Sequence, residues 1–243
     1  MLKACLNGGR TLADHPAVPV TPVAVAADAA RCAALGAGAV HVHPRDHTGR
    51  ESLASDVVAA TVAAVRAVAP TLPVGVSTGA WIEPRPEARI EAVRCWSVLP
   101  DFASVNAHEP GAEAVAAALH ERGIGVEAGL WTVDAVHAFR MWRVPAVRLL
   151  IECMATDPAV ALGDAEHMLG ELPAAAPPVV LHAAAPPVVL HAEGPAVWPV
   201  LQEAVRRRLH TRIGLEDTLV LPDGSTAPGN AELVAAAVAV GAG

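Results

Sequence analysis

The chain has no tyrosine, two phenylalanines and five tryptophans among 243 residues. Its 17 Lys and Arg stand against 25 Asp and Glu, a formal net charge of -8. Few stacking side chains and an acidic balance argue against nucleic-acid binding. No stretch approaches the roughly 20 apolar residues of a membrane helix. The start, Met1-Leu2-Lys3-Ala4-Cys5-Leu6-Asn7, lacks the charged, long apolar and cleavage regions of a secretory signal and moves straight into a strand-like run. Cysteine is scarce as well: Cys5, Cys32, Cys95 and Cys153 lie far apart, none in a CxxC pair. They read as reduced core residues, and the expectation is a soluble, cytoplasmic protein.

What the chain does have is 53% hydrophobic residues, enough for a sizeable core. Short apolar runs alternate with Ala-rich segments of helical length. Strands are expected at 2–7, 37–43, 73–77, 102–106, 124–128, 147–152, 187–191 and 212–216. Helices are expected at 22–35, 53–68, 85–96, 111–122, 132–142, 157–170, 195–209 and 229–240. Thr21-Pro22, Ser55-Asp56, Glu109-Pro110, Asp157-Pro158 and Gly194-Pro195 mark helix starts. Eight such units, with no change of composition and no linker, predict an α/β fold of one domain over residues 1–243, a closed (β/α)8 TIM barrel.

One segment breaks the pattern: AAPPVVLHA at 175–183 recurs unchanged at 184–192. Only one copy can be strand 7. The second runs into Glu193-Gly194-Pro195 and the next helix, so it is taken as the strand. This makes 175–183 an insert and puts His191, not His182, at the strand end.

In a barrel of this kind chemistry sits where strands end. Those ends carry Asn7, His41 and His43, Ser77 and Thr78, Ser104 and Asn106, Glu127, Glu152, His191, and Glu216 with Asp217. Buried without partners, each would cost on the order of 1–3 kcal/mol, so one polar pocket accounts for them better than packing does. Within it, His41-Val42-His43 places two imidazoles on one face of a strand, as a metal site needs. Zinc fits imidazole and carboxylate donors and leaves a position open for substrate. A pair of hydrogen-bonded histidines closing a strand is the plainer alternative. Glu216 and Asp217 are adjacent and diverge, so one can bind metal while the other faces substrate; capping of the following helix is the alternative here. Arg212, four residues earlier, can fork to a carboxylate.

The blocks Lys3-Ala4-Cys5-Leu6-Asn7-Gly8-Gly9, His41-Val42-His43-Pro44-Arg45-Asp46, Val76-Ser77-Thr78-Gly79, Ala103-Ser104-Val105-Asn106, Arg212-Ile213-Gly214-Leu215-Glu216-Asp217 and Asn230-Ala231-Glu232-Leu233-Val234 together resemble the β-keto acid cleavage enzymes. The likeness runs in order along nearly the whole chain, which is shorter than the typical member. It implies a zinc-dependent acyltransferase that turns a β-keto acid and acetyl-CoA into acetoacetate and a new acyl-CoA, as a homo-oligomer, a tetramer in the family. Carried over, His41, His43 and Glu216 would bind the metal. Asp217 would be the general base, with Arg212 beside it and Glu127 near it. Ser77, Ala80 and Ser104 would line the substrate site, completed by Asn7, Thr78 and Asn106 at the neighbouring strand ends.

Where the amine-binding member of the family has a glutamate after strand 1, this chain has Arg10. The reversed charge implies a substrate with an acidic or polar tail, unless Arg10 turns outward or pairs with Asp14 or Glu127. Trp81 and Trp131, after strands 3 and 5, can wall the pocket or a subunit contact. Arg206-Arg207-Arg208 at a helix end reads as a solvated face. Two other functions start from an HxH pair in a barrel: a zinc hydrolase of the amidohydrolase type, and a non-catalytic metal-binding barrel.

Overall fold

A computed structural model describes residues 1–172 and 185–243. The elements run β1 (Leu2–Cys5), α1 (Pro22–Ala34), β2 (Ala39–Val42), α2 (Ser55–Val68), β3 (Val74–Ser77), α3 (Pro86–Cys95), β4 (Phe102–Asn106) and α4 (Ala112–Glu121). They continue with β5 (Gly125–Leu130), α5 (Val133–Arg140), β6 (Arg148–Cys153), α6 (Pro158–Gly170), β7 (Val188–Ala192), α7 (Val197–Arg206), β8 (His210–Ile213) and α8 (Asn230–Ala239). The eight strands pair in parallel, in chain order, and β1 closes onto β8. The expected (β/α)8 barrel is the observed one. No helix among the described residues is long and apolar enough to cross a membrane.

Alternation along the strands decides what meets what. Leu2, Ala4, Val40, Val42, Val74, Val76, Ala103, Val105, Leu149, Ile151, Leu190 and Ile213 all join the core between sheet and helices. The residues between them point into the barrel. Low in that interior Glu127 accepts from Lys3 Nζ at 2.6 Å and Arg148 Nε at 2.5 Å, and the Arg148 guanidinium lies 4.4 Å from the Phe102 ring centre. Gly75 leaves the space that the Phe102 ring fills; a Cβ there would collide with it. Above this layer the interior turns to His41, Ser77, Glu152, His191 and Arg212 in the C-terminal halves of their strands, with Ser104 at the middle of β4.

Two strand edges differ from expectation, with consequences for the site. β5 extends to Leu130, two residues farther than expected, so Glu127 sits mid-strand in the lower layer rather than at the rim. β8 ends at Ile213, and the chain turns at Gly214, where Asp217 N donates to Gly214 O at 2.9 Å and Thr218 N at 3.0 Å. A Cβ at Gly214 would collide with the Cys5 carbonyl. Glu216 and Asp217 therefore stand on a tight turn, not on the strand itself. Asn230 holds this turn: its side chain accepts from Leu215 N at 2.7 Å and donates to Leu6 O at 2.8 Å.

Helix caps follow the expectation at Thr21 and Asp157, which accept from the first-turn amides. Elsewhere the outcome differs: α2 does start at Ser55, with Ala54 in the cap position; α4 starts after Gly111, and Glu109 is used otherwise; and Gly194–Ala196 form a single 3-10 turn before α7. Cys5, Cys32 and Cys153 are buried, whereas Cys95, the last residue of α3, is exposed and so is not a core residue. Arg206, the last residue of α7, and Arg207, just past it, pair with Glu203 of that helix. The second copy of the repeat supplies β7, as expected; the insert at 175–183 lies outside the described residues.

Candidate active site

His41 lies in β2 and His43 one residue past its end. Asn7, fully buried, clamps the backbone of His43: its Oδ1 accepts from His43 N at 2.8 Å and its Nδ2 donates to His43 O at 3.1 Å. The two Nε2 atoms come within 3.0 Å of each other, and Glu216 Oε2 lies 3.9 Å from that of His41 and 3.8 Å from that of His43. Gly8, with φ +51°, permits this approach, since a Cβ would run into the Glu216 side chain. Glu216 Oε2 is buried and has no hydrogen-bond partner. Burial, and then the charge of neighbouring groups, holds the His41 ring far below the usual imidazole range, so it is neutral and offers a lone pair. Donors of a tetrahedral zinc site stand about 3.3 Å apart when each is about 2.0–2.1 Å from the metal. Two imidazole nitrogens and an unpartnered carboxylate oxygen spanning 3.0–3.9 Å fit that requirement.

Arg212 binds this arrangement to a second cluster. Its Nη2 lies 2.7 Å from Asp217 Oδ1, 3.1 Å from Glu216 Oε1 and 4.0 Å from Glu152 Oε1. His191 bridges on the other side, with Nε2 3.4 Å from Glu152 and Nδ1 4.0 Å from Asp217. Burial works to raise the Glu152 carboxyl, but His191 and Arg212 outweigh it and hold it down to about 2. At Asp217 burial wins over Arg212 and His191, and the carboxyl is raised.

A cavity of about 460 Å³ opens over these groups, and Arg10, Ser77, Ser104, Asn106 and Arg212 line it with the three donor residues. The other expected site residues lie elsewhere. Asn7 is spent on the His43 backbone, and Thr78 donates its hydroxyl to Ser104 O at 2.7 Å. Ala80 offers its amide to Glu109 Oε1 at 3.0 Å. Asp217 is fully buried outside the cavity wall, and Glu127 is committed to Lys3 and Arg148 in the layer beneath. Glu109, expected as a helix start, pairs with the buried Arg89 and accepts from Asn106 Nδ2 at 2.9 Å. It thereby ties together the loops after β3 and β4.

Several residues of the site escape the sequence reading. Glu51 contacts His43 Nδ1, and Trp81 Nε1 donates to the same carboxylate oxygen at 3.2 Å. A signal for it exists in Asp46-His47-Thr48-Gly49, a turn-forming run that sends the chain back past β2. Trp81 and Trp131 do wall the cavity, their ring centres 6.5 Å apart. Glu193, directly after β7, also lines it; burial, with Glu152 and Asp217 adding and Arg212 opposing, pushes its carboxyl up to about 7.

That shift carries a stability consequence. In the folded protein Glu193 keeps its proton up to about pH 7, whereas the unfolded chain releases it near the ordinary glutamate value. Between these values the unfolded chain binds fewer protons, so stability falls as pH rises. In metal-free protein Glu193→Gln should match the wild type near pH 4.5 and exceed it at pH 8. The gain is on the order of 1–2 kcal/mol after screening of the partly exposed carboxyl, read by chemical denaturation at the two pH values.

A family model described as beta-keto acid cleavage enzyme matches residues 1–242. Among solved structures, apo ObcA superposes with a TM-score of 0.70 at 17% identity, covering 90% of this chain and 61% of ObcA. ObcA in ternary complex with a C4-CoA adduct and oxalate gives 0.69 at 20% identity, over 90% of this chain and 62% of that one. The N-acetylmannosamine-6-phosphate 2-epimerase from Clostridium perfringens gives 0.57 at 13%, over 89% and 87%. The chain thus spans about 60% of the length of ObcA, and at these identities the structures share its fold.

Proposed function

Since the chain belongs to the β-keto acid cleavage enzyme family, we propose that it is a zinc-dependent acyltransferase that converts a β-keto acid and acetyl-CoA into acetoacetate and a new acyl-CoA. The observation that carries the metal is the convergence of His41, His43 and Glu216 on one point, with Glu216 Oε2 otherwise unpartnered. When bound, the ion supplies Lewis acidity toward the keto and carboxylate oxygens of the substrate.

Asp217, buried behind the cavity wall, is the final acceptor of the proton between the two carbonyl groups, which reaches it from the cavity through Glu152 and His191. Arg212 holds its Oδ1, while Oδ2 has no protein partner and its raised affinity for protons suits a base. The resulting carbanion attacks the thioester carbonyl of acetyl-CoA. CoA leaves, adds to the other acyl carbonyl, and the carbon–carbon bond breaks to release acetoacetate and the new acyl-CoA. His191 and Glu152 lead from Asp217 to the cavity wall and offer a path for returning the proton. Ser77, Ser104 and Asn106 supply polar contacts for the substrate carboxylate. A groove of about 700 Å³ meets the cavity at Glu51 and Trp81, which gives room for a second substrate.

Arg10 sets the preferred tail. It lines the cavity, donates from Nε to Glu216 O at 3.2 Å, and forms no salt bridge among the described residues, so it is bound to neither Asp14 nor Glu127. An acidic tail would pair with it. Oxaloacetate, the ligand in one ObcA structure, is a keto acid of that type, and the C4-CoA adduct in another is of the co-substrate class. Steady-state kinetics with acidic, neutral and cationic β-keto acids should show at least about tenfold preference for the acidic one, the equivalent of a single modest ion pair. Arg10→Glu should reverse it. Turnover should require both substrates, which a hydrolase would not. Wild-type preference for the cationic acid would refute the role of Arg10, and cleavage without acetyl-CoA would refute the acyltransferase.

A further inference from the structure

Resting on the reading of His41, His43 and Glu216 as the metal site, we infer that Glu51 is the positioning residue that aims His43 at the ion, and that Trp81 holds Glu51 in place. The Glu51 carboxylate can only accept, so its contact with His43 Nδ1 fixes the proton there and leaves the lone pair on Nε2. That Nε2 faces His41 and Glu216. Trp81 donates to the same Glu51 oxygen, and its ring stacks on the His43 ring with centres 6.2 Å apart and planes 19° from parallel. Both faces of the arrangement are thus constrained by one carboxylate and one indole.

Glu51 reaches this position by way of the turn after β2. Asp46 Oδ1 accepts from Thr48 N at 2.8 Å and Arg50 N at 3.1 Å, Gly49 adopts φ +82°, and Arg45 pairs with Glu51 as an antiparallel bridge. The Arg45 guanidinium is occupied by the carbonyls of Gly8, Arg10 and Gly49. Among the described residues the ion-pair partner of Glu51 is His43 alone. His41 has no such support, for its Nδ1 is buried without a hydrogen-bond partner. The two histidines are therefore held differently, one by packing and one by a carboxylate, and loss of Glu51 should act on metal binding through His43.

The test titrates metal-free wild type, Glu51→Ala, Glu51→Gln and Trp81→Phe with zinc against a chromophoric chelator. Thermal midpoints of the metal-free proteins and visible spectra of their cobalt(II) forms are recorded in parallel. Glu51→Ala should bind zinc about 10–100-fold more weakly. Glu51→Gln, whose amide oxygen still accepts from His43, should fall between it and the wild type, and Trp81→Phe should lose less than Glu51→Ala. Metal-free midpoints should hardly move, and the cobalt(II) spectrum of Glu51→Ala should change. Unaltered affinity in both Glu51 variants, or losses that merely track the metal-free midpoint, would overturn the inference and leave the metal site standing. A wild type that binds no zinc would remove both.

Discussion

Replacing Glu216 by alanine should leave the protein folded and without metal, and turnover should fall by at least about a thousandfold, the loss of some 4 kcal/mol of transition-state stabilisation. Glu216 stands on the turn after β8 and approaches the two imidazoles only because Gly8 leaves room for it. Its Oε2 makes no protein hydrogen bond, and the Arg212 guanidinium that its Oε1 approaches at 3.1 Å keeps Asp217 at 2.7 Å, so the variant leaves that cation paired and the metal-free form should stay close to the wild type in stability. His41→Ala should act in the same direction. Metal content by mass or emission analysis, alongside rate, separates this from a substrate-binding role; a Glu216→Ala protein that retains one ion per chain would show that the carboxylate is not a ligand.

Arg212→Met should have the larger effect on folding. Arg212 is the guanidinium shared by Asp217, Glu216 and Glu152, all within 4.0 Å and all nearly inaccessible to solvent. Burial alone would lower its affinity for protons, but Asp217 and the surrounding acids raise it well above the ordinary value, so it is charged throughout. Removing it leaves buried carboxylates uncompensated, at a cost of about 3–5 kcal/mol. Their affinity for protons then rises in the folded state, so the penalty is greatest above neutral pH and shrinks as the solution is acidified. Denaturation midpoints at pH 5 and pH 8 would show this: a loss equal at both would mean that packing, not charge, is what Arg212 supplies. Because Arg212 also orients Asp217, activity should fall even at the pH where stability is best recovered.

The barrel was legible because alternation in eight short runs separates core-facing from interior-facing positions, and the residues at the interior ends are polar. The same alternation picked out His41, and His43 follows at the next position of that face. It misplaced Glu127 because a strand continuing to Leu130 moves a residue from the rim to the layer below, and apolar Ala128, Gly129 and Leu130 mark no end. Asn7 and Thr78 are polar strand ends whose side chains serve neighbouring backbone rather than a ligand, a distinction that depends on which carbonyls come near. Glu51 and Glu193 stand outside the strands, and their roles arise from a chain reversal and from the meeting of loops distant in sequence. Periodicity carries no information about either.

The most direct measurement is a crystal structure of the zinc-loaded protein with anomalous data at the zinc edge. One peak is expected within about 2.0–2.2 Å of His41 Nε2, His43 Nε2 and a Glu216 carboxylate oxygen. A peak that lacks any of these three donors, or no peak at the end of β2 in protein that turns over a β-keto acid with acetyl-CoA, would contradict the account.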